Sequence, residues 1–351
     1  MWRLPEPRYD VASALSQGQR DYQEDALVTD FPFGDDSGIV VLADGMGGHA
    51  AGDVASKIVV TEVYGALKRQ SDTFVGEPAG IPGIMGSAAV RANASVREHV
   101  LSNPGTQGMG ATLVSLVLVG SELFWNSIGD SPLFLMRKGK LQQLNEDHSM
   151  APQIDFMVQS GLLDAEAAKN HPDRNCLTSV IYGDKVAKVD CPDASFQLEA
   201  GDIVVLSSDG LQYLEDQRIE RLLHRYRRRT ASEIAGLLLS ALEDLNDPDQ
   251  DNISISVIKV NHTQPIAKRG PSAEAGRAGT AATRVADKSK IAEYAHALFG
   301  TSRKAAAPAD NVVKVTETPE PKKEAEDQLP SDAVEQSQEE EEPKAMAAGA
   351  S

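Results

Sequence analysis

Short continuous apolar runs, amphipathic stretches and glycine-rich turns follow one another along most of this chain. Residues 39–42 form a β-branched apolar run, which predicts a strand that is buried on both faces. The run leads to Asp44 and Gly45, and a glycine-rich turn follows. From about residue 50 to residue 69, apolar residues recur at helical spacing. The pattern therefore predicts a strand, an acid, a tight turn and a helix in succession.

The same reading predicts the other elements. The further predicted strands cover residues 9–16, 26–30, 110–119, 122–127, 133–137, 141–144, 195–198, 202–208 and 253–260. The further predicted helices cover residues 85–101, 151–161, 164–169, 216–227 and 231–245. Successive hairpins, with turns at 120–121 and 138–140, indicate antiparallel sheet and not a doubly wound parallel one.

Two interpretations compete for the turn after residue 43. Gly45, Gly47 and Ala50 match the G-x-G-x-x-A spacing of a dinucleotide site, which also requires a second strand directly after the helix. Residues 70–86 are rich in glycine and proline and predict no strand, so this interpretation is disfavoured. The alternative is a hard-metal site with Asp44 as a ligand, which needs further carboxylates at strand ends.

Composition narrows the function classes. The 351 residues are 41% hydrophobic and carry a net charge of −18, which argues against nucleic-acid or anionic-membrane partners. Two cysteines, Cys176 and Cys191, form no Cys-x-x-Cys pair, so a structural zinc or a disulfide framework is not expected. The sequence has no apolar signal core or membrane-spanning run, and we expect a cytoplasmic monomer.

The composition changes near residue 261. Beyond it Ala, Pro, Glu, Lys and Ser dominate, which predicts a disordered acidic tail over residues 261–351. Within that tail, residues 288–299 place several apolar side chains on one helical face and predict a short helix. The predicted folded domain is therefore residues 1–260, with an insertion at about 145–183.

Three acids occupy comparable places in the predicted elements. Asp44 and Asp209 each follow a buried strand and precede a glycine, and Asp251 stands just before the last strand. Strand ends in a sandwich would bring these carboxylates together, where they repel one another unless a cation neutralises them. Oxygen ligands without a His/Cys cluster favour Mg²⁺ or Mn²⁺.

The motifs in their order resemble the metal-dependent serine/threonine protein phosphatases, the phosphatase 2C family, in its bacterial form. The matching pieces are RDYQED at 20–25, LADGMGGHAAG at 42–52, GMGATL at 108–113, IGDSPLFL at 128–135, DHS at 147–149, SSDGL at 207–211 and DNIS at 251–254. The resemblance implies an α+β fold in which two packed antiparallel sheets are flanked by antiparallel helix pairs, an α-β-β-α sandwich.

The resemblance also implies roles for individual residues. Asp44 would bridge two metal ions, and the Gly45 carbonyl would bind the second. Asp209 and Asp251 would hold the first ion, and Asp130 would join Asp209 at a third, weaker site. The metal-site acids Glu24 and Asp25 would act largely through water. Arg20 would bind the substrate phosphate because its planar guanidinium matches two phosphate oxygens.

The implied activity is hydrolysis of phosphoserine and phosphothreonine on proteins, opposing serine/threonine kinases. Two or three Mg²⁺ or Mn²⁺ ions would activate a bridging water for in-line attack. The chain departs from family patterns at Met46, where eukaryotic members have histidine, and at Ser179, where relatives often have arginine. His49, three residues after Met46, is expected to be structural. The alternative function is a non-catalytic regulator that binds phosphoproteins on the same fold.

Overall fold

The computed structural model describes residues 7–32, 35–47 and 51–262. The strands are β1 (Tyr9–Ser16), β2 (Ala26–Asp30), β3 (Ser37–Ala43), β4 (Gly45–Met46), β5 (Gly110–Ala111), β6 (Leu113–Val119), β7 (Glu122–Ile128), β8 (Leu133–Arg137), β9 (Lys140–Gln143), β10 (Phe196–Gln197), β11 (Ile203–Ser207) and β12 (Ile253–Val260). The helices are α1 (Ala51–Phe74), α2 (Ile81–Ser102), α3 (Ala151–Gln159), α4 (Ala165–Lys169), α5 (Asp216–Tyr226) and α6 (Ala231–Glu243).

Two five-stranded sheets carry the architecture. The first has the order β1-β12-β11-β8-β9, and the second has the order β10-β7-β6-β3-β2. Every pairing within both sheets is antiparallel. The predicted antiparallel fold class is confirmed, and the doubly wound alternative is wrong because the ladders run in opposite directions.

Three apolar layers explain why the strands read as continuous hydrophobic runs. In β3, Val41 packs toward α1 and α2, whereas Val40 and Leu42 pack between the two sheets. In β11, Val205 packs toward α5 and α6, whereas Val204 faces the layer between the sheets. Alternate side chains therefore enter different cores, so both faces of a central strand must be apolar.

The predicted elements agree with the structure apart from their ends, and the structure adds the short strand β4 and three short 3₁₀ helices. Helix α1 extends five residues beyond its predicted end at Arg69, and α2 begins at Ile81. The connection between the two helices holds a short 3₁₀ turn, Pro78–Gly80, and no strand. The short pair of β4 with β5 was not predicted, because a two-residue strand has no readable period.

The predicted insertion lies between β9 and β10 and contains α3 and α4. The predicted tail, with its helix at 288–299, lies outside the described residues except for residues 261 and 262. His49 also lies outside the described residues. Among the described residues, every helix is too short or too polar to traverse a lipid bilayer.

Candidate active site

The predicted acids come from five different segments of the chain. Asp44 follows β3, Asp209 follows β11, and Asp251 lies two residues before β12. Asp25 immediately precedes β2, and Asp130 lies in the turn between β7 and β8. All five carboxylates belong to one electrostatic cluster, because the charges of the other four each raise the pKa of Asp44.

Two glycines allow these segments to approach one another. A Cβ atom on Gly45 would lie 2.1 Å from the carbonyl oxygen of Gly52, in the first turn of α1. A Cβ atom on Gly210 would lie 2.0 Å from the carbonyl oxygen of Asn252. Any side chain would collide at both positions, so each Asp-Gly pair lets another backbone segment pack beside its acid.

Burial and mutual repulsion dominate the electrostatics of the cluster. Burial raises the pKa of Asp44 well above its ordinary value, and the neighbouring acids raise it further. Burial also raises the pKa of Asp25 to about 7, although hydrogen bonds from Ser208 and Ser254 offset part of the rise. The pKa of Asp130 rises to about 7, first through burial and then through the charges of Asp209 and Asp147. Such a cluster favours protons or cations.

Asp209 and Asp251 connect the cluster to Arg20. Burial raises the pKa of Asp209, the charge of Asp251 adds to the rise, and a hydrogen bond with the side chain of Asp44 partly offsets it. One Nη atom of Arg20 lies 2.6 Å from Oδ2 of Asp251. The Arg20 side chain is 55% exposed, so its guanidinium lies at the solvent boundary of the cluster.

Glu24 lies at the edge of the same cluster. Burial raises its pKa, and the charges of Asp251 and Asp53 raise it further. Within the described residues, Oε1 of Glu24 and Oδ1 of Asp25 are buried without a hydrogen-bond partner. Two buried carboxylate oxygens without donors, in an oxygen-only donor set, fit a hard divalent cation.

In the described structure, carboxylates of the cluster contact side chains of the protein itself. As they are placed, no three Asp, Glu, His or Cys side chains in that part of the chain form a group that could hold a metal ion. Asp251 contacts Arg20, and Oδ2 of Asp25 accepts a 2.8 Å hydrogen bond from Ser208. A cation would therefore have to replace some of these internal contacts.

Thr112 supports Asp44 at the main chain, a contact that the sequence did not reveal. The amide of Asp44 donates to Oγ1 of Thr112 at 3.0 Å, and the amide of Thr112 donates to the carbonyl of Asp44 at 2.8 Å. Oγ1 of Thr112 also lies 2.8 Å from Oγ of Ser131, which follows Asp130. The buried Thr112–Ser131 pair therefore joins the turn of Asp44 to the turn of Asp130.

Two more residues of the site were not assigned from sequence. Asp147 lies close enough to Asp130 for its charge to raise the pKa of that acid. Asn252 is 4% exposed and contacts the loop that carries Arg20 and Glu24. Both stand inside motifs that the sequence displays, DHS and DNIS, but nothing in the sequence shows which segment each side chain reaches.

Comparison with known proteins places the chain in a family. The family model described as protein phosphatase 2C matches residues 17–245. The serine/threonine phosphatase stp of Listeria monocytogenes is 31% identical over 231 residues, covering 66% of this chain and 87% of the relative. The serine/threonine protein phosphatase PstP of Mycobacterium tuberculosis is 33% identical over 235 residues, covering 65% of this chain and 42% of that protein.

Solved structures agree with the sequence comparison. The crystal structure of the Mycobacterium tuberculosis phosphatase PstP/Ppp matches with a TM-score of 0.60 and 28% identity, covering 72% of this chain and 99% of that one. The catalytic domain of PstP in complex with two manganese ions matches with a TM-score of 0.55 and 26% identity, covering 72% and 97%. The predicted family is therefore confirmed, and the chain belongs to the protein phosphatase 2C family.

Proposed function

We propose that this protein phosphatase hydrolyses phosphoserine and phosphothreonine on proteins with the carboxylate cluster around Asp44 as its metal centre. The observation that carries the proposal is the convergence of five acids from separate segments, in which burial and then the charges of the other four raise the pKa of Asp44. Such repulsion is costly in a protein interior unless a cation or protons offset it. A buried cluster of this kind is typical of a functional site.

The proposed residue roles are those that the family resemblance implies, and the clustering of the acids supports them. Asp44, at the centre of the cluster, would hold two cations with Asp209 and Asp251 beside it, and the Gly45 carbonyl would contribute to the second. Glu24 and Asp25 offer buried oxygens without donors, and Asp130 would hold a third cation with Asp209. The cations, when bound, would neutralise charge on the phosphoryl oxygens and make water a nucleophile.

Arg20 is the proposed phosphate-binding residue. Its guanidinium presents a planar fork, and a phosphate group offers the matching pair of oxygens. The side chain is 55% exposed and lies 2.6 Å from Asp251, which supports a role for it between the solvent and the proposed metal-binding acids. Its positive charge also lowers the pKa of Asp209, so it supports the ionised form of the cluster.

Further parts of the proposal concern ions, partners and the extent of the domain. The solved PstP catalytic domain contains two manganese ions, which supports a count of at least two and the use of Mn²⁺ or Mg²⁺. Because kinases make phosphoserine and phosphothreonine, we propose that the protein opposes a serine/threonine kinase. We propose a catalytic domain of residues 1–260, since β12 ends at Val260. We also propose that the protein is a monomer.

The experiment measures Mn²⁺-dependent hydrolysis of a phosphothreonine peptide by the full chain, together with Mn²⁺ binding by calorimetry. Asp44→Asn and Asp209→Asn should each lower turnover by about 100-fold or more, because each removes a charged ligand without changing the shape of the side chain. Both should also lose Mn²⁺ affinity. EDTA should abolish the turnover of the unmodified protein.

Asp193→Asn is the matched control. Asp193 is an exposed acid that does not appear among the charges acting on Asp44, so its replacement should leave turnover and Mn²⁺ binding unchanged. Turnover like that of the unmodified protein in Asp44→Asn, with Mn²⁺ still binding, would refute the proposed roles. The absence of any turnover in the unmodified protein with Mn²⁺ would instead favour the non-catalytic regulator.

A further inference from the structure

The buried side chain of Asn252 makes three hydrogen bonds to one distant loop. Its Nδ2 atom donates to the carbonyl oxygens of Gln17 at 2.8 Å and Tyr22 at 2.9 Å. Its Oδ1 atom accepts from the amide of Glu24 at 2.7 Å. These partners lie 228 to 235 positions away in sequence. One amide therefore holds both ends of the loop of residues 17–24, which carries Arg20 and Glu24.

Backbone contacts place the same loop directly on the segment of Asp251. The amide of Gln19 donates to the carbonyl of Gln250 at 2.8 Å. Gly18 has a φ of +60°, and a Cβ atom there would lie 2.2 Å from the carbonyl oxygen of Asp251. The loop and the segment of residues 250–252 thus pack without space for a side chain between them, and the buried side chain of Asn252 joins them alongside the more exposed Arg20–Asp251 ion pair.

Asn252 also adjoins the segment of Asp209. The backbone carbonyl oxygen of Asn252 is the atom that a Cβ on Gly210 would meet at 2.0 Å. The backbone amide of Asn252 donates to Oδ1 of Asp251 at 2.7 Å. The residue is therefore the point where the Arg20 loop, the Asp209 turn and Asp251 meet. No other described side chain hydrogen-bonds to both ends of that loop.

We propose that Asn252 is a positioning residue that sets the phosphate-binding Arg20 and the metal-site acid Glu24 relative to Asp251. This inference rests on the proposed function, since it assigns Asn252 an effect through Arg20 and Glu24. Asn252 does not itself touch the substrate in this account. Loss of its three hydrogen bonds should release the loop, so that substrate binding and Mn²⁺ binding weaken together while the sheets stay intact.

The test is a double-mutant cycle on the full chain with Asn252→Ala, Arg20→Ala and the combined variant. We expect Asn252→Ala to raise KM for a phosphothreonine peptide about tenfold and to weaken Mn²⁺ binding about tenfold, as is typical for the loss of a residue that orients ligands. If Asn252 acts through Arg20, the two effects on KM should not add: in the Arg20→Ala background, Asn252→Ala should change KM by less than about twofold.

Asn126→Ala separates positioning from mere stability. Asn126 is fully buried and donates to the carbonyl of Met85 at 3.0 Å, on the helix side of the second sheet. Its replacement should lower the melting temperature without changing KM or Mn²⁺ affinity. Asn252→Asp retains Oδ1 as the acceptor for Glu24 but turns a carboxylate oxygen toward the carbonyl oxygens of Gln17 and Tyr22, so its KM should rise at least as much as that of Asn252→Ala.

Each outcome is decisive. An unchanged KM in Asn252→Ala, where Arg20→Ala raises KM, overturns the inference and leaves the role of Arg20 intact. An unchanged KM in Arg20→Ala overturns that part of the proposed function instead. Effects of Asn252→Ala and Arg20→Ala that multiply fully show that the two residues act independently, which also overturns the inference.

Discussion

Removal of the Thr112 hydroxyl tests whether the main chain of Asp44 must be held for the site to bind metal. Thr112→Val keeps the shape of the side chain but deletes Oγ1, which accepts from the Asp44 amide at 3.0 Å and lies 2.8 Å from Oγ of Ser131. Thr112 is 3% exposed and Ser131 is fully buried. Both polar partners are therefore left without a hydrogen bond where water has little access.

The expected loss of stability follows from these two unsatisfied polar groups. An orphaned buried polar group costs about 1–3 kcal/mol, so the Asp44 amide and the Ser131 hydroxyl together should cost about 2–6 kcal/mol. For a domain of this size, that loss lowers the melting temperature by about 4–24 °C. Because Asp44 is also the proposed bridging ligand, Mn²⁺ affinity should fall about tenfold as its strand end loosens.

Thr112→Ser is the matched variant because it keeps the hydroxyl and deletes the methyl group. That methyl packs beside Gly129, where a Cβ atom would lie 2.6 Å from it, so its loss should cost about 1 kcal/mol. Thermal unfolding in EDTA and Mn²⁺ calorimetry measure both variants. Equal Mn²⁺ affinity in Thr112→Val and Thr112→Ser would refute the reasoning, whatever the melting temperatures show.

Three further predictions concern charge and reactivity. Asp44→Asn should raise the melting temperature measured in EDTA, because it removes one of several repelling buried carboxylates; a lower value would show that another contact of Asp44 dominates. The pKa values of Asp25 and Asp130 are raised from 3.8 to about 7, so the folded state binds these protons more tightly than the unfolded chain does. Without metal, the contribution of these two groups to stability should therefore be greatest below about pH 4 and should fall as the pH rises to about 7. A melting temperature in EDTA that rises over that pH range would contradict this prediction. Burial raises the pKa of the Cys191 thiol from 9.0 to about 11, so at pH 8 iodoacetamide should modify it about 100-fold more slowly than an ordinary thiol. The exposed Cys176 should react first. Equal rates of modification, measured by peptide mass spectrometry, would show that the Cys191 thiol is not buried in solution.

The positions of the main acids were predictable because they stand where a strand pattern ends. Runs such as residues 39–42 and 203–206 fill two apolar layers at once, which makes their ends easy to locate. Asp44 and Asp209 lie one and two residues beyond the ends of strands β3 and β11. The resemblance added Arg20 and Asp130, since neither an arginine near two acids nor a lone Gly-Asp turn identifies a site on its own.

The contacts that bring the acids together were not predictable. A glycine after an aspartate reads as a turn signal, yet Gly45 and Gly210 are needed because other backbone segments approach within about 2 Å of where a Cβ would be. The partners, Gly52 and Asn252, lie 7 and 42 positions away along the chain. Sequence spacing carries no information on which distant carbonyl fills that space, so the support given by Asn252 emerges only from the folded structure.

The ion pair of Arg20 with Asp251 competes with the proposed phosphate-binding role of Arg20, and the small free energy of that pair resolves the conflict. The Arg20 side chain is 55% exposed and that of Asp251 is 30% exposed, and ion pairs at such solvated positions contribute about 0–1 kcal/mol. A phosphate at the same position can accept two charge-assisted hydrogen bonds from the guanidinium in place of the single contact with Asp251, and it carries more negative charge than a carboxylate. Redirecting Arg20 from Asp251 to a substrate therefore costs less than it gains, and the same step frees a carboxylate oxygen of Asp251 for a cation. Substrate binding and metal binding at this site should consequently favour each other. The Mn²⁺ affinity measured in the presence of a non-hydrolysable phosphopeptide should therefore exceed the Mn²⁺ affinity of the free enzyme. A lower Mn²⁺ affinity with the phosphopeptide would show that Arg20 stays on Asp251.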